Sequence, residues 1–297
     1  MNNRAPKPGE TPGFQHSRDG CAPICANLLQ IPPAFLALHF GAGTYALAMR
    51  TILLASIVGS CVAYGGEPES REWKAPNGTL VKYRWSAPEK VESGKTYPLV
   101  LFLHGAGERG TDNTTQLKHG VKAILDGAAK LGEPCFLIAP QCPPDLWWAP
   151  INRKTMELES ALKPNPLLDA VLALTTEMSK SNPVDPKRFY VTGLSMGGYG
   201  TWSLLARAPE KIAAAIPICG GGDTTQAAKF KDVPVWAFHG IADPTVPVQQ
   251  TRDMIAALEK VGGKPNSTYY SGVYHDSWTQ TYADPAVIKW LFAQRQK

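Results

Sequence analysis

The chain has 297 residues, of which 44% are apolar and 19% charged. That is enough apolar material for one large α/β domain, and it excludes a collagen-like, low-complexity or wholly disordered protein. The net charge of +5 falls to +3 without residues 1–63, which hold four basic and two acidic side chains; no basic run stands out, so nothing points to nucleic acid.

Taken in order, residues 1–33 are rich in proline, glycine and polar side chains with no sustained period, and read as disordered. From Ala34 to Val62 the chain turns apolar, interrupted by His39 and Arg50. Met49-Arg50, the apolar run Thr51–Val58 and the small residues after it have the layout of a secretory signal over residues 49–63. Met49 is then the expected start, with residues 1–48 a disordered extension or an artefact of gene calling. Val58-Gly59-Ser60-Cys61 has the form of a lipoprotein cleavage site, which would put a lipid on Cys61; cleavage after Ala63 is the alternative. A membrane anchor over Ala34–Val62 would carry Arg50 near its middle, at a cost in hydrocarbon. The expectation is export, to the periplasm, the medium or a lipid anchor at the envelope.

Three cysteines follow the signal: Cys135, Cys142 and Cys219. An odd number cannot all pair within the chain. Cys135 and Cys142 flank the strand-like Phe136–Ala139, and an extended rise of about 3.3 Å per residue holds them too far apart for a disulfide. Their spacing does not fit a zinc site. All three read as small buried apolar residues, and no metal or cofactor is implied.

From Leu80 onward strands and helices alternate. Leu80–Trp85 alternates apolar and polar side chains, as a half-buried strand does, while Tyr97–His104 is nearly continuous in apolar residues and suits a strand covered on both faces. Helical spacing follows over Gln116–Lys130, then a short strand at Phe136–Ala139, a helix over Pro166–Ser181 and a strand at Arg188–Thr192. A helix over Met196–Ala208 is followed by strands at Ile212–Ile218 and Val233–His239. A helix over Val248–Val261, a strand at Ser267–Tyr270 and a helix over Pro285–Gln294 close the chain. Repeated βα units predict a mostly parallel central sheet with helices on both faces, in one domain over residues 67–297.

In such a sheet the ligand crevice lies beyond the carboxyl ends of the strands. Gly193-Leu194-Ser195-Met196-Gly197-Gly198 joins a strand to a helix there, in the Gly-x-Ser-x-Gly pattern of a nucleophile elbow. A β-carbon at Gly193 or Gly197 would clash in so tight a turn. The chain order that accompanies this elbow is serine, acid, histidine. Asp243 follows the strand ending near His239, and His275 lies between the last strand and the last helix. His275 is the expected general base, Asp243 the residue that orients it, and Ser195 the nucleophile. His104 and His239, each before a glycine at a strand end, read as loop supports, and His119 as a surface or rim residue. A tetrahedral intermediate also needs donors at its oxyanion. The backbone N–H of Met196 is one expectation; the loop His104-Gly105-Ala106-Gly107-Glu108-Arg109-Gly110 supplies the other, from Ala106 or, second, Gly107.

With these stretches, and with Ala139-Pro140-Gln141-Cys142, Trp147-Trp148 and His239-Gly240-Ile241-Ala242-Asp243, the chain resembles the α/β-hydrolase superfamily. Within it, these motifs resemble a single-domain bacterial branch described as phospholipase/carboxylesterase-like, prolyl-oligopeptidase-like or predicted peptidase. The resemblance implies an α/β-hydrolase fold and a serine hydrolase with Ser195, Asp243 and His275 as its triad. Prolyl-oligopeptidase-type peptidases carry a propeller domain, for which there is no room before Leu80.

Only Gly220–Asp232 links the strand after the elbow helix to the next, too short for a large lid, so an open site is expected. Pro143–Pro164 is the one sizeable insertion. Its Trp147 and Trp148, with Trp278 near His275, are candidates for an aromatic platform under a sugar or aryl group; packing of the loop is the competing reading. The leading expectation is an exported serine carboxylesterase working through an acyl-serine, on small-molecule, carbohydrate-linked or polymer-linked esters. A serine peptidase on short peptides and a non-catalytic binding protein on the same scaffold are the alternatives.

Overall fold

The computed structural model describes residues 66–152 and 154–297. The signal-like stretch 49–63, the extension before it and Cys61 lie outside the described residues.

Among the described residues, ten strands and six helices follow in chain order. They are β1 (Glu69–Lys74), β2 (Leu80–Ser86), β3 (Tyr97–Leu103), α1 (Val121–Lys130), β4 (Phe136–Gln141), the short pair β5 (Ile151–Asn152) and β6 (Glu157–Leu158), and α2 (Pro166–Ser181). Then come β7 (Val184–Leu194), α3 (Met196–Arg207), β8 (Ala214–Ile218), β9 (Trp236–Gly240), α4 (Gln249–Lys260), β10 (Asn266–Tyr270), α5 (Trp278–Ala283) and α6 (Pro285–Ala293). Eight strands form one sheet in the order β1-β2-β4-β3-β7-β8-β9-β10, while β5 and β6 pair by themselves. β1 and β2 are antiparallel to each other, as are β2 and β4; every other neighbouring pair in the large sheet is parallel.

The apolar run of β3 divides by parity, because successive side chains of a strand point to opposite faces. Leu99, Leu101 and Leu103 join the core under α2, α3 and α4, while Val100 and Phe102 join the core under α1 and α6. The two covered faces make the middle of the sheet a stiff platform. They also explain why β3 reads as unbroken apolar sequence rather than as an alternation.

Several elements differ from the sequence expectation. The helix expected over Gln116–Lys130 begins only at Val121, after a single 3₁₀ turn at Thr115–Leu117. Gly120 sets the break. Its φ is +76°, outside helical geometry, and a β-carbon there would stand 2.5 Å from the Phe102 ring. The strand expected at Arg188–Thr192 runs from Val184 to Leu194. β1, the β5–β6 pair and α5 were not anticipated. The three cysteines are buried and none is in a disulfide.

Candidate active site

β7 delivers Ser195 to the carboxyl end of the sheet, and α3 starts at the next residue. Ser195 has φ 51° and ψ −115°, a conformation that residues with a side chain rarely adopt. The turn is held by its surroundings. Ser195 N–H donates to Ile218 O at 2.9 Å, tying it to β8. A β-carbon on Gly197 would stand 1.9 Å from Leu103 O, so only glycine lets α3 approach the end of β3 this closely. The serine side chain is thereby aimed into the crevice.

β9 and β10 bring the partners. His275, in the loop after β10, places Nε2 2.9 Å from Ser195 Oγ and Nδ1 2.7 Å from Asp243 Oδ2. Asp243 Oδ1 accepts from the backbone N–H groups of Thr245 and Val246, at 2.8 and 3.0 Å. Its Oδ2 also lies 3.2 Å from His239 Nε2. Burial by itself would raise the Asp243 pKa; the hydrogen bonds from His239, His275 and the Val246 N–H outweigh it and hold the carboxyl well below the usual range. Asp243 has no exposed side-chain surface, whereas that of His275 is 22% exposed. A buried anion, an imidazole reaching to solvent and a serine hydroxyl therefore form one continuous hydrogen-bonded chain. Such a chain can carry a proton from the hydroxyl to the ring, with the resulting cation held next to a carboxylate.

Two other acids, Asp223 and Asp276, are engaged elsewhere. Asp223 starts the 3₁₀ segment Thr224–Phe230 and accepts from Ala161 N–H at 3.2 Å, and Asp276 accepts from Thr279. Cys219, Asp243 and His275 bring three metal-type ligand atoms within 4.8 Å of one another. That donor set does not fit a resident cation: Asp243 and His275 are engaged in the chain above, and burial pushes the Cys219 thiol up.

On the opposite side of the serine, β3 ends at His104-Gly105 and a 3₁₀ turn over Ala106–Glu108 follows. Ala106 is half-buried and Gly107 exposed. Neither N–H has a hydrogen-bond acceptor among the described residues. Met196 is the first residue of α3, where a helix leaves its N–H groups without internal acceptors and the helix dipole favours negative charge. The loop is braced from below by His104. Its Nε2 accepts from Cys142 N–H at 2.9 Å, so Nδ1 carries the proton and donates to Gly105 O at 2.6 Å. Burial pushes its pKa down to about 4, keeping the ring neutral.

The tryptophans divide. Trp148 is 0% exposed, packs against the His104 ring at 5.2 Å and donates from Nε1 to His104 O at 3.0 Å. It has no surface to offer a substrate, which corrects the platform expectation at this position. Its neighbour Trp147 is half-buried, with the Arg109 guanidinium 5.0 Å from its ring centroid. Arg109 also donates to Ala106 O and Pro144 O, and Asn165 donates to the carbonyls of Trp147 and Trp148 while capping α2. The Pro143–Pro164 insertion is thus fastened to the loop after β3. Trp278 is half-buried and stands edge-on to His275, with ring centroids 5.3 Å apart. His239, read from sequence as a loop support, meets Asp243, and Glu108, given no role of its own from sequence, stands beside His119. Their partners are distant in sequence or their roles hidden by a His-Gly loop signal, so no local pattern marks them.

Known proteins resemble this chain in sequence and in fold. The dienelactone hydrolase family model matches residues 149–287, a segment that contains Ser195, Asp243 and His275. A solved structure described as a thermostable esterase is 40% identical, with a TM-score of 0.72, over 77% of this chain and 63% of that one. A bifunctional acetylxylan esterase/xylanase from Neocallimastix patriciarum is 34% identical over 86 residues; the match spans 29% of this chain and 13% of that protein. The feruloyl esterase module from Clostridium thermocellum is 16% identical, with a TM-score of 0.57, over 80% of this chain and 92% of that one, a likeness of fold.

Proposed function

As a member of the α/β-hydrolase superfamily, this chain is, we propose, a serine-dependent carboxylic-ester hydrolase that works through an acyl-enzyme. The observation that carries this reading is the unbroken chain Ser195 Oγ–His275–Asp243, at 2.9 and 2.7 Å, on a strained turn at the end of the sheet. Ser195 Oγ attacks the ester carbonyl as His275 Nε2 takes its proton. The N–H groups of Met196 and of Ala106 or Gly107 receive the charge that forms on the carbonyl oxygen. Collapse of the intermediate expels the alcohol, protonated by His275, and leaves an acyl group on Ser195. Water, deprotonated by His275, then releases the acid and restores the serine.

The loops support a broad, accessible site. The 3₁₀ segment Thr224–Phe230 between β8 and β9 buries Ala227 and Phe230 in the domain rather than standing over Ser195. This suits bulky or polymer-borne esters, and the acetylxylan esterase name of one relative favours the same class. Export rests on the sequence of residues 49–63 alone, and N-terminal sequencing of the mature protein tests it.

The decisive experiment is fluorophosphonate labelling combined with a panel of short-acyl, acetylated-xylan, feruloyl and short-peptide substrates. Wild type should be labelled and should cleave esters faster than amides. Ser195→Ala should lose the label and about 10⁵-fold or more in kcat. Full activity in Ser195→Ala would overturn the mechanism; faster amide than ester cleavage would shift the reading to a peptidase.

A further inference from the structure

One charged side chain beside the site has no part in the chemistry above. Glu108 is 6% exposed, yet its carboxylate accepts no hydrogen bond from any described residue. His119 Nε2 stands 3.7 Å from Oε1, within ion-pair reach but beyond hydrogen-bond range. Arg109, next along the chain, is turned away to Ala106 O, Pro144 O and Trp147. A largely buried carboxylate without a hydrogen-bond donor is an acceptor that a bound group can satisfy.

Glu108 stands at the crevice. Glu108 Oε2 lies 3.0 Å from the point where a β-carbon on Gly105 would stand, and that point is 2.8 Å from Leu194 Cδ1, in the residue before Ser195. On the other side the His119 ring tilts against Trp278 at 5.7 Å, and Trp278 stands edge-on to His275 at 5.3 Å. Glu108, His119 and Trp278 form one wall that runs from the loop after β3 round to His275. His119 keeps 29% of its side chain exposed, so the wall opens to solvent at its rim.

We propose that this wall binds a hydroxyl group carried by the ester close to its scissile bond, an inference that rests on the esterase reading. Glu108 offers only acceptors, and a His119 ring with its proton on the nitrogen facing it offers a donor. A hydroxyl can donate to the carboxylate and accept from the imidazole at once, and the 3.7 Å gap lets one oxygen approach both. An ammonium group would satisfy Glu108 but offer His119 no acceptor. A plain alkyl or aryl group would leave the carboxylate as it is, and an anion would be repelled. The hydroxyl can sit on the alcohol side, as in a polyol ester, or on the acyl side, as in a hydroxyacyl ester.

Size-matched ester pairs test this and separate the two sources. Glyceryl monoacetate against propyl acetate probes the alcohol side; ethyl β-hydroxybutyrate against ethyl butyrate probes the acyl side. Wild type should favour the hydroxylated member of one pair by about tenfold or more in kcat/KM, the order for a hydrogen bond to a charged group. Glu108→Gln should bring that ratio to within about threefold. The ratio is the readout, because a merely structural defect slows both members alike. Equal rates within both pairs for wild type would overturn the proposal without any variant, as would a preference undiminished in Glu108→Gln. Ester cleavage without hydroxyl preference removes the subsite alone. No cleavage of any ester and no fluorophosphonate labelling removes the esterase reading and the subsite with it.

Discussion

β3 runs into His104-Gly105 and β9 ends on His239-Gly240, and both imidazoles are buried at the floor of the crevice. His104 is held between two backbone groups, the Gly105 carbonyl and the Cys142 N–H, and stays neutral. It spaces the loop after β3 from the end of β4 and carries no charge into the site. His239 contacts Thr251 Oγ1 at 2.7 Å through Nδ1, and Val246 O at 2.9 Å through Nε2. That same Nε2 lies 3.2 Å from the Asp243 oxygen that receives His275. Two identical dipeptides at equivalent strand ends thus differ in kind. One braces backbone; the other helps set the charge on which the Ser195–His275 chain depends. What a buried histidine does is decided by whether a carboxylate is within its reach.

The comparison can be pressed hardest at Asp243, the acid that His239 shares with His275. Asp243→Asn should leave the fold intact and lower kcat by about 10⁴-fold, as expected when the histidine loses the partner that fixes its tautomer. Steady-state kinetics on any ester found to be cleaved, with a thermal melt as control, decides it. A loss under tenfold would mean that the carboxylate does not govern His275.

The second measurement addresses His104. An imidazole ordinarily titrates near 6.5, and here burial pushes it down to about 4. Above pH 6.5 the ring is neutral in both folded and unfolded chains, and its contribution is fully present. As pH falls from 6.5 to 4 the unfolded chain binds a proton that the folded one refuses, so about 3 kcal/mol of stability is lost across that window. Urea unfolding at several pH values should show the slope, and His104→Gln should flatten it.

The smallest expected effect separates the two loops most directly. His239→Gln should lower kcat by about ten- to hundredfold, the range for a hydrogen bond to a charged group, with little change in KM. His104→Gln should act mainly on the melting temperature. If both variants lose only stability, the two loops are alike after all.

Much of the architecture was legible because its causes are local. Apolar periodicity marks β3, α2 and α4, and the glycines around Ser195 announce a turn that only residues without a β-carbon can make. Chain order then singles out Asp243 and His275. Other elements left weaker marks. β1 is an edge strand whose side chains are mostly in solvent, so ESREWK carries little apolar alternation. α5 is six residues long, too short for a helical period to register. The helix expected from Gln116 fails at Gly120 because a ring on β3 occupies the space a β-carbon would need.

The adjacent tryptophans mark where local reading ends. Trp147 and Trp148 are the same residue twice, yet the insertion turns one under the loop after β3, to donate to His104 O, and leaves the other half-buried against Arg109. By itself the sequence determined the sheet, the elbow at Ser195 and the order of its partners, since these follow from periodicity, steric necessity and chain order. The tertiary structure alone decided that His239 shares a carboxylate oxygen with His275, and that Glu108 sits buried before His119 without a hydrogen bond. Those relations join side chains brought together from separate loops, and the energy of a buried charge depends on what stands within a few ångströms of it.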